Sequence, residues 1–332
     1  MRPGTGDPVL VTGATGFTGG HLARGLAARS FRVRVLARDE ARARDLTTAG
    51  IEVVEGDLTD RASIDRAVEG MATVYNVAAI YREAGVPASA YRAVNAEAVG
   101  TLVRASARAG VQRVVHCSTV GVHGDIQAPP ADEDAPLRPG DIYQQTKLEG
   151  ERVAREAAAA AGVELVIARP SGIYGPGDRR LLKLFRGVAR QRFVILGRGE
   201  IFYHLTYVDD LVDGFRLCGT VPQAAGRTYI LAGGEVGTLK ELVRLIAREV
   251  GVRPPWIRLP VWPFWIAGAL CEAACVPLRV EPPIYRRRVD FFTKSRAFDI
   301  SRARKELGYA PKVGLREGVR RALEWYQLKG WI

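Results

Sequence analysis

Apolar runs of strand length recur along the first half of the chain, at 9–12, 32–37, 51–54, 73–78, 114–118 and 164–168, and helix-spaced apolar positions fill the stretches between them. Strands alternating with helices predict parallel βαβ units. Val114-Val-His-Cys-Ser118 and Leu165-Val-Ile-Ala168 are nearly continuous in small apolar residues, as strands buried on both faces should be. The pattern therefore predicts an α/β fold: a doubly wound parallel sheet with helices on each side.

Beyond Pro170 the rhythm loosens and Gly, Pro and aromatic residues become denser, so residues 1–170 read as the sheet domain and 171–332 as a smaller α/β cap, with some segments returning to the core. One helix in the cap is plainly marked. Thr238 and Glu241 form a capping box, Leu239, Leu242, Val243, Ile246, Ala247 and Val250 share a face, and Gly251 ends it. The alanines at 157–161 favour helix, and no internal repeat is present.

The first strand runs straight into Gly13-Ala-Thr-Gly16-Phe-Thr-Gly19, which opens a helix, and that context turns a weak glycine pattern into a dinucleotide-binding signal of the Rossmann type. Gly13 permits the tight turn, Gly16 lets backbone approach a pyrophosphate, and Gly19 lets helix pack on sheet. The free N–H groups of the helix start and its dipole suit the phosphates. At the end of the second strand, where an NAD enzyme carries an acid for the ribose hydroxyls, stands Ala37. Arg38 follows at once, and a guanidinium suits a 2′-phosphate, so the cofactor expected is NADP(H) in preference to NAD. Asp57, in Gly56-Asp57-Leu58 after the third strand, is placed either to accept from the adenine amino group or to cap the next helix.

Tyr143 and Lys147 stand four apart in a helical segment, on one face. A phenol is a poor base at neutral pH, and an ammonium beside it stabilises the phenolate, so the pair makes a tunable acid/base. A Tyr-x-x-x-Lys pattern alone is nearly worthless. Its position gives it weight: it follows the fifth strand, whose carboxyl end carries Ser118 and Thr119, where ligands bind in such sheets.

Taken together these segments resemble the extended short-chain dehydrogenases along nearly the whole chain. The resemblance rests on Thr12-Gly-Ala-Thr-Gly-Phe-Thr-Gly19, Gly56-Asp-Leu58, Asn95 with Gly100-Thr101, Ser118-Thr119 leading to Val122-His-Gly124, Tyr143-x-x-x-Lys147, Arg169-Pro-Ser-Gly-Ile-Tyr-Gly-Pro176 and Tyr207-Val-Asp-Asp210. It implies that Thr119, with Ser118 beside it, is the catalytic hydroxyl, that Tyr143 transfers the proton and that Lys147 also holds the nicotinamide ribose. It implies a dinucleotide lined by Gly13, Thr15, Gly16, Phe17, Thr18, Gly19, Arg38, Asp57, Leu58, Ala78, Ala79, Ser118, Tyr143, Lys147, Pro170, Gly172 and Ile173. A homodimer through the helices of Asn95 and Tyr143 is a further implication.

Within that family two substrate classes compete, nucleotide sugars (epimerisation or dehydration on tightly bound NAD) and lipophilic alcohols or ketones such as hydroxysteroids (net hydride transfer). Nucleotide-sugar enzymes usually carry an Asn where this chain has Gly172, and an Arg shortly before the Tyr-Val-Asp-Asp motif, where it reads Phe202-Tyr-His-Leu-Thr206. The segment from Arg286 to Ile300 also looks more like the sterol branch, so the expectation is a sterol-like or other lipophilic secondary alcohol or ketone. A relative that senses NADP(H) without turnover is the reading outside enzymes, and the intact Thr119, Tyr143 and Lys147 count against it. The apolar stretch 261–276, with Trp262 and Trp265 and with Arg279 and Arg286 to Arg288 after it, reads as a lipophilic lid, a membrane-surface foot or packed cap core.

The 332 residues carry ordinary apolar and charged fractions, 47% and 25%, so a large core and little disorder are expected. The net charge of +12 comes from arginines scattered along amphipathic helices with no nucleic-acid motif, which predicts a solvated basic surface and a small-molecule partner. Cys117, Cys218, Cys271 and Cys275 form no CxxC pair, so neither a metal nor a disulfide framework is expected; with no secretion signal or spanning helix, the expected compartment is the cytoplasm.

Overall fold

The computed structural model describes residues 6–83, 85–255, 257–275 and 286–332. The apolar runs become β1 (Pro8–Thr12), β2 (Arg32–Ala37), β3 (Glu52–Glu55), β4 (Thr73–Asn76), β5 (Arg113–Cys117) and β6 (Glu164–Pro170). Between them lie α1 (Phe17–Ala27), α2 (Glu40–Thr48), α3 (Arg61–Val68), α4 (Ala88–Arg92), α5 (Ala98–Arg108) and α6 (Ile142–Ala161). There follow β7 (Gly172–Tyr174), α7 (Leu182–Ala189), β8 (Ile195–Leu196), β9 (Phe202–Tyr203), β10 (Leu205–Tyr207), α8 (Val208–Thr220), β11 (Thr228–Leu231), β12 (Gly237–Thr238), α9 (Leu239–Val250), β13 (Arg258–Leu259), α10 (Trp262–Cys275), α11 (Arg286–Thr293), α12 (Ser301–Leu307) and α13 (Leu315–Leu328).

Seven strands form one parallel sheet in the order β11-β6-β5-β4-β1-β2-β3. Successive residues of β1 feed opposite faces: Val9 and Val11 join one apolar cluster, Leu10 the other. Because β1 sits between β2 and β4, the connections leave it in opposite directions. The carboxyl ends of the strands therefore open into a crevice there, where an open α/β sheet receives ligands.

Beyond β6 the chain builds a second core in which Phe185, Leu242, Ile246, Leu323 and Tyr326 from α7, α9 and α13 meet. It also returns to the first: β11 pairs with β6, and Val208, Leu211 and Phe215 of α8 are buried in the sheet's own cluster. In α9 the capping box is present, with Thr238 Oγ1 accepting from Glu241 N at 3.2 Å and Glu241 Oε2 from Thr238 N at 2.7 Å, and Gly251 closes the helix at φ +80°.

For the stretch at 261–276 the packed-core reading is corrected. α10 buries Gly268 alone, while Trp262 is 66% exposed, Trp265 50%, Ile266 44% and Leu270 67%. Val276 and Arg279 lie outside the described residues, as do the side chains of Arg286, Arg287 and Arg288. Among the described residues no helix is long and apolar enough to cross a membrane.

Candidate active site

The glycine turn has the backbone its sequence requires. Gly13 sits at φ +72°, and a Cβ there would come within 2.7 Å of Ala78 Cα. One on Gly19 would stand 2.3 Å from the Gly13 carbonyl oxygen, so only glycine lets α1 pack this close. Gly16 caps α1 without any side-chain hydrogen bond, which leaves the first-turn N–H groups to a ligand. A cleft of about 1030 Å³ opens here, lined by Gly13, Thr15, Gly16, Phe17, Thr18, Gly19, Arg38, Asp57, Leu58, Ala78, Ala79, Ser118, Thr119, Tyr143, Lys147, Pro170, Gly172 and Ile173. The structure thus brings every expected site residue to one crevice, and its size and phosphate-ready helix end fit a dinucleotide.

At the far end of that cleft Arg38 is exposed, and no ion pair among the described residues claims it. Its neighbour Asp39 is turned away, accepting from Ala41 N at 2.9 Å as the cap of α2. Arg34 is engaged by Glu52 at 2.9 Å. The cap of α3 is Asp60, so the helix-capping alternative for Asp57 falls. Asp57 accepts instead from the amide and hydroxyl of Thr59, at 2.7 and 2.6 Å. Burial would raise its carboxyl, but those bonds and the Arg38 guanidinium hold it below its usual range.

Tyr143 and Lys147 occupy the first two turns of α6, whose N-cap Asp141 accepts from Gln144 N at 3.0 Å. The Tyr143 phenol is half-buried and pushed upward, first by desolvation and then by Cys117 and Tyr81, against the pull of Arg82 and Arg180. Lys147 is 1% exposed, and its Nζ finds no hydrogen-bond partner among the described residues. Desolvation lowers its pKa, with Cys117 and Glu151 opposing. A buried ammonium without a partner is costly, and a ligand's hydroxyls are the kind of group that would satisfy it. Behind it, buried His116 is pushed well below the usual imidazole range by desolvation and then by Lys147.

The two candidate hydroxyls at the end of β5 differ in what they have left to offer. Ser118 Oγ is buried and donates its proton to Glu151 Oε1 at 2.5 Å. Thr119 Oγ1 accepts from Gly121 N at 3.0 Å, which leaves its proton for an acceptor in the cleft. Glu151, on α6 one turn past Lys147, is itself held by Arg169, the arginine of the Arg-Pro-Ser-Gly segment, at 2.7 and 2.9 Å.

Sequence reasoning passed over Tyr81, Arg82 and Arg296, which also line the cleft. The Tyr81 ring meets the Tyr143 ring edge-on, with centroids 4.8 Å apart. Arg82, a non-glycine residue at φ +45°, lies 5.7 Å over the Tyr143 ring and pairs with Asp141 at 2.9 Å. Nothing local in the sequence marks these residues, since the fold alone brings them to the cleft, and Tyr81 and Arg82 to the phenol. At Gly172 a Cβ would stand 2.8 Å from Leu205 Cδ2, across the β7–β10 pairing.

Comparison with known proteins agrees with this geometry. The NAD dependent epimerase/dehydratase family profile matches residues 9–232. A 3 beta-hydroxysteroid dehydrogenase/Delta 5→4-isomerase of Mycobacterium tuberculosis is 32% identical, covering 96% of this chain and 90% of its own. A decarboxylating sterol-4-alpha-carboxylate 3-dehydrogenase of Schizosaccharomyces pombe is 28% identical over 96% of this chain and 97% of its own. Among solved structures, a UDP-glucuronic acid 4-epimerase of Bacillus cereus in complex with NAD shares the fold, with TM-score 0.78 at 21% identity, over 97% of this chain and 99% of that one. With a family match over most of its length and a cleft built around a glycine turn and a Tyr-x-x-x-Lys helix, the chain belongs to the NAD-dependent epimerase/dehydratase family, the extended short-chain dehydrogenases.

Proposed function

We propose that this enzyme carries out net hydride transfer at a secondary alcohol or ketone of a lipophilic, sterol-like substrate, with Tyr143 as acid/base, Lys147 as its electrostatic partner and ribose ligand, and Thr119 as the orienting hydroxyl. The observation that carries the reading is the half-buried Tyr143 phenol one turn from a buried, unpartnered Lys147, in the cleft that the glycine turn opens. When bound, the nicotinamide supplies the hydride acceptor or donor. Tyr143 takes the carbinol proton in oxidation and returns it in reduction, and the Lys147 ammonium favours the ionised phenol. Thr119 has its proton free to fix the substrate oxygen, whereas Ser118 has spent its own on Glu151.

Net transfer is favoured over sugar-nucleotide epimerisation because Gly172 offers no side-chain amide and Tyr203 stands near the place of the expected arginine. The names of the mycobacterial and yeast relatives point the same way. The deciding measurement is calorimetric titration of the cofactor-loaded enzyme with UDP and with a hydroxysteroid. Steroid binding without UDP binding is expected, and micromolar UDP affinity with no response to steroid would overturn the reading.

Two finer assignments follow from the surroundings. Arg38, exposed and in no ion pair among the described residues, supports NADP(H) as the preferred cofactor. The outward face of α10 supports contact with an anionic membrane surface. Its Trp262, Trp265, Ile266 and Leu270 are exposed, and exposed Arg258 just precedes it, in a strand paired with the one that leads to exposed Arg198.

A further inference from the structure

We propose that Arg180, carried on the connection between β7 and α7, holds the nicotinamide-side phosphate of the bound dinucleotide, whichever substrate class the enzyme takes. Its guanidinium carbon lies 5.4 Å from the centre of the Phe17 ring and 5.8 Å from the centre of the Tyr81 ring, in the wall of the cleft. Phe17 is the first residue of α1, and Tyr81 meets the Tyr143 ring edge-on. Arg180 thus bridges the two ends between which a dinucleotide has to run, from the glycine turn to the acid/base. The uncapped first turn of α1 offers a phosphate its N–H groups, and over that turn's first residue stands a charged, forked donor.

The side chain is oriented before any ligand arrives. Asp178, 1% exposed, accepts from Arg180 N at 3.0 Å, from Leu181 N at 3.2 Å and from Arg180 Nε at 2.8 Å. Arg180 Nη2 donates to the Ile173 carbonyl at 2.6 Å. Two of the three guanidinium nitrogens are therefore fixed, while Nη1 has no hydrogen bond among the described residues. A planar fork held by an acid and a carbonyl, with donors left over, loses little freedom when it meets a phosphate.

The frame that carries Arg180 is fastened on both sides. His21, one turn into α1, donates through Nε2 to the Pro176 carbonyl at 2.9 Å, and the Tyr326 hydroxyl of α13 donates to the Asp178 carbonyl at 2.7 Å. Among the described cations of the cleft wall, Arg180 is the one that lies over Phe17; Arg82 lies instead over Tyr143 at 5.7 Å, and Arg38 acts on Asp57. A phosphate held by Arg180 therefore ties the cap, through α13, to the helix that opens the dinucleotide site, and cofactor release has to break that tie. An arginine engaged in this way is also not free to receive the diphosphate of a nucleotide sugar.

The test is calorimetric titration of the full chain, of Arg180→Met and of Arg180→Lys with NADPH, NADH, ADP-ribose and AMP. ADP-ribose keeps both phosphates without the nicotinamide, and AMP keeps the adenine-side phosphate alone. Arg180→Met should weaken NADPH, NADH and ADP-ribose alike by about ten- to a hundredfold, the worth of one charge-assisted hydrogen bond, and leave AMP unchanged. Arg180→Lys, which keeps the charge without the fork, should fall between. Asp178 retains its two backbone donors in both variants, and a cooperative unfolding transition reports that they are folded. Undiminished affinity for NADH and ADP-ribose in Arg180→Met overturns the proposal, as does an equal loss for AMP. A raised substrate KM with unchanged cofactor affinities overturns it too, and assigns Arg180 to the substrate instead.

Discussion

Glu151 accepts from Arg169 on both carboxylate oxygens, at 2.7 and 2.9 Å, with the two side chains only 3% and 4% exposed. The pair ties the helix of Tyr143 and Lys147 to the end of β6, and its carboxylate also takes the Ser118 proton. Arg169 donates further, to the Glu133 carbonyl at 3.0 Å. Two charges buried this deeply contribute little net stability as a pair, but removing one strands the other. Glu151→Ala should therefore cost about 3–5 kcal/mol of unfolding free energy. Urea titration checks this, and a loss below about 1 kcal/mol would show that water or a neighbour satisfies Arg169 once its partner is gone.

The shifted phenol sets a pH dependence with a definite sign. Desolvation, Cys117 and Tyr81 raise the Tyr143 pKa, so the phenol is protonated at neutral pH. Oxidation needs the deprotonated form, whose fraction below the pKa grows about tenfold per pH unit. Oxidative kcat/KM should therefore climb with pH through the neutral and alkaline range. The reductive rate, which uses the protonated phenol, should stay level there. Tyr143→Phe should lower turnover at least about a hundredfold in both directions while leaving cofactor affinity nearly unchanged, because only the phenolic proton is lost. Full turnover in that variant would remove Tyr143 from the chemistry.

Part of this site is legible in the sequence and part is not. The glycine turn and the Tyr143/Lys147 pair are legible because each depends on spacing within one turn or one helix face. Which hydroxyl is free for substrate is not, because Ser118 is committed by Glu151 and Arg169, and neither neighbours it along the chain. Asp57 illustrates the same limit on a smaller scale: two acids precede α3, and only the backbone shows that Asp60 is the cap. The cleft wall is least legible, since Tyr81, Arg82 and Arg296 come from distant stretches of chain that line one cleft only in the folded protein.

Cofactor choice rests on the end of β2. Ala37 offers no carboxylate to a ribose, Asp39 is turned to its own helix, and Arg38, in no ion pair among the described residues, stands beside Asp57. NADPH should bind more tightly than NADH by about ten- to a hundredfold, the worth of one charge-assisted contact. Fluorescence titration of both reduced cofactors measures the difference, and Arg38→Ala should erase it by weakening NADPH alone. Equal affinities in the unmodified protein would refute the assignment, since the glycine turn sees only the pyrophosphate that both cofactors share.

The outer face of α10 leads to the last prediction. Its 14 residues span about 21 Å, too short for a hydrocarbon core of about 30 Å, so the helix can lie on a bilayer but not cross it. Trp262, Trp265, Ile266 and Leu270 fall at spacings of three, one and four, which places these exposed side chains along one stripe of the helix. Burying a large apolar side chain gains about 1.5–3 kcal/mol, and the exposed Arg198 and Arg258 add attraction to acidic headgroups. The full chain should therefore co-sediment with phosphatidylglycerol-containing vesicles and much less with pure phosphatidylcholine. Salt should weaken the binding, and the double variant Trp262→Ser, Leu270→Ser should lower partitioning by about tenfold or more. Failure to bind either vesicle, together with a mass in solution that falls when those two residues are changed, would assign the stripe to contact between copies of the chain instead.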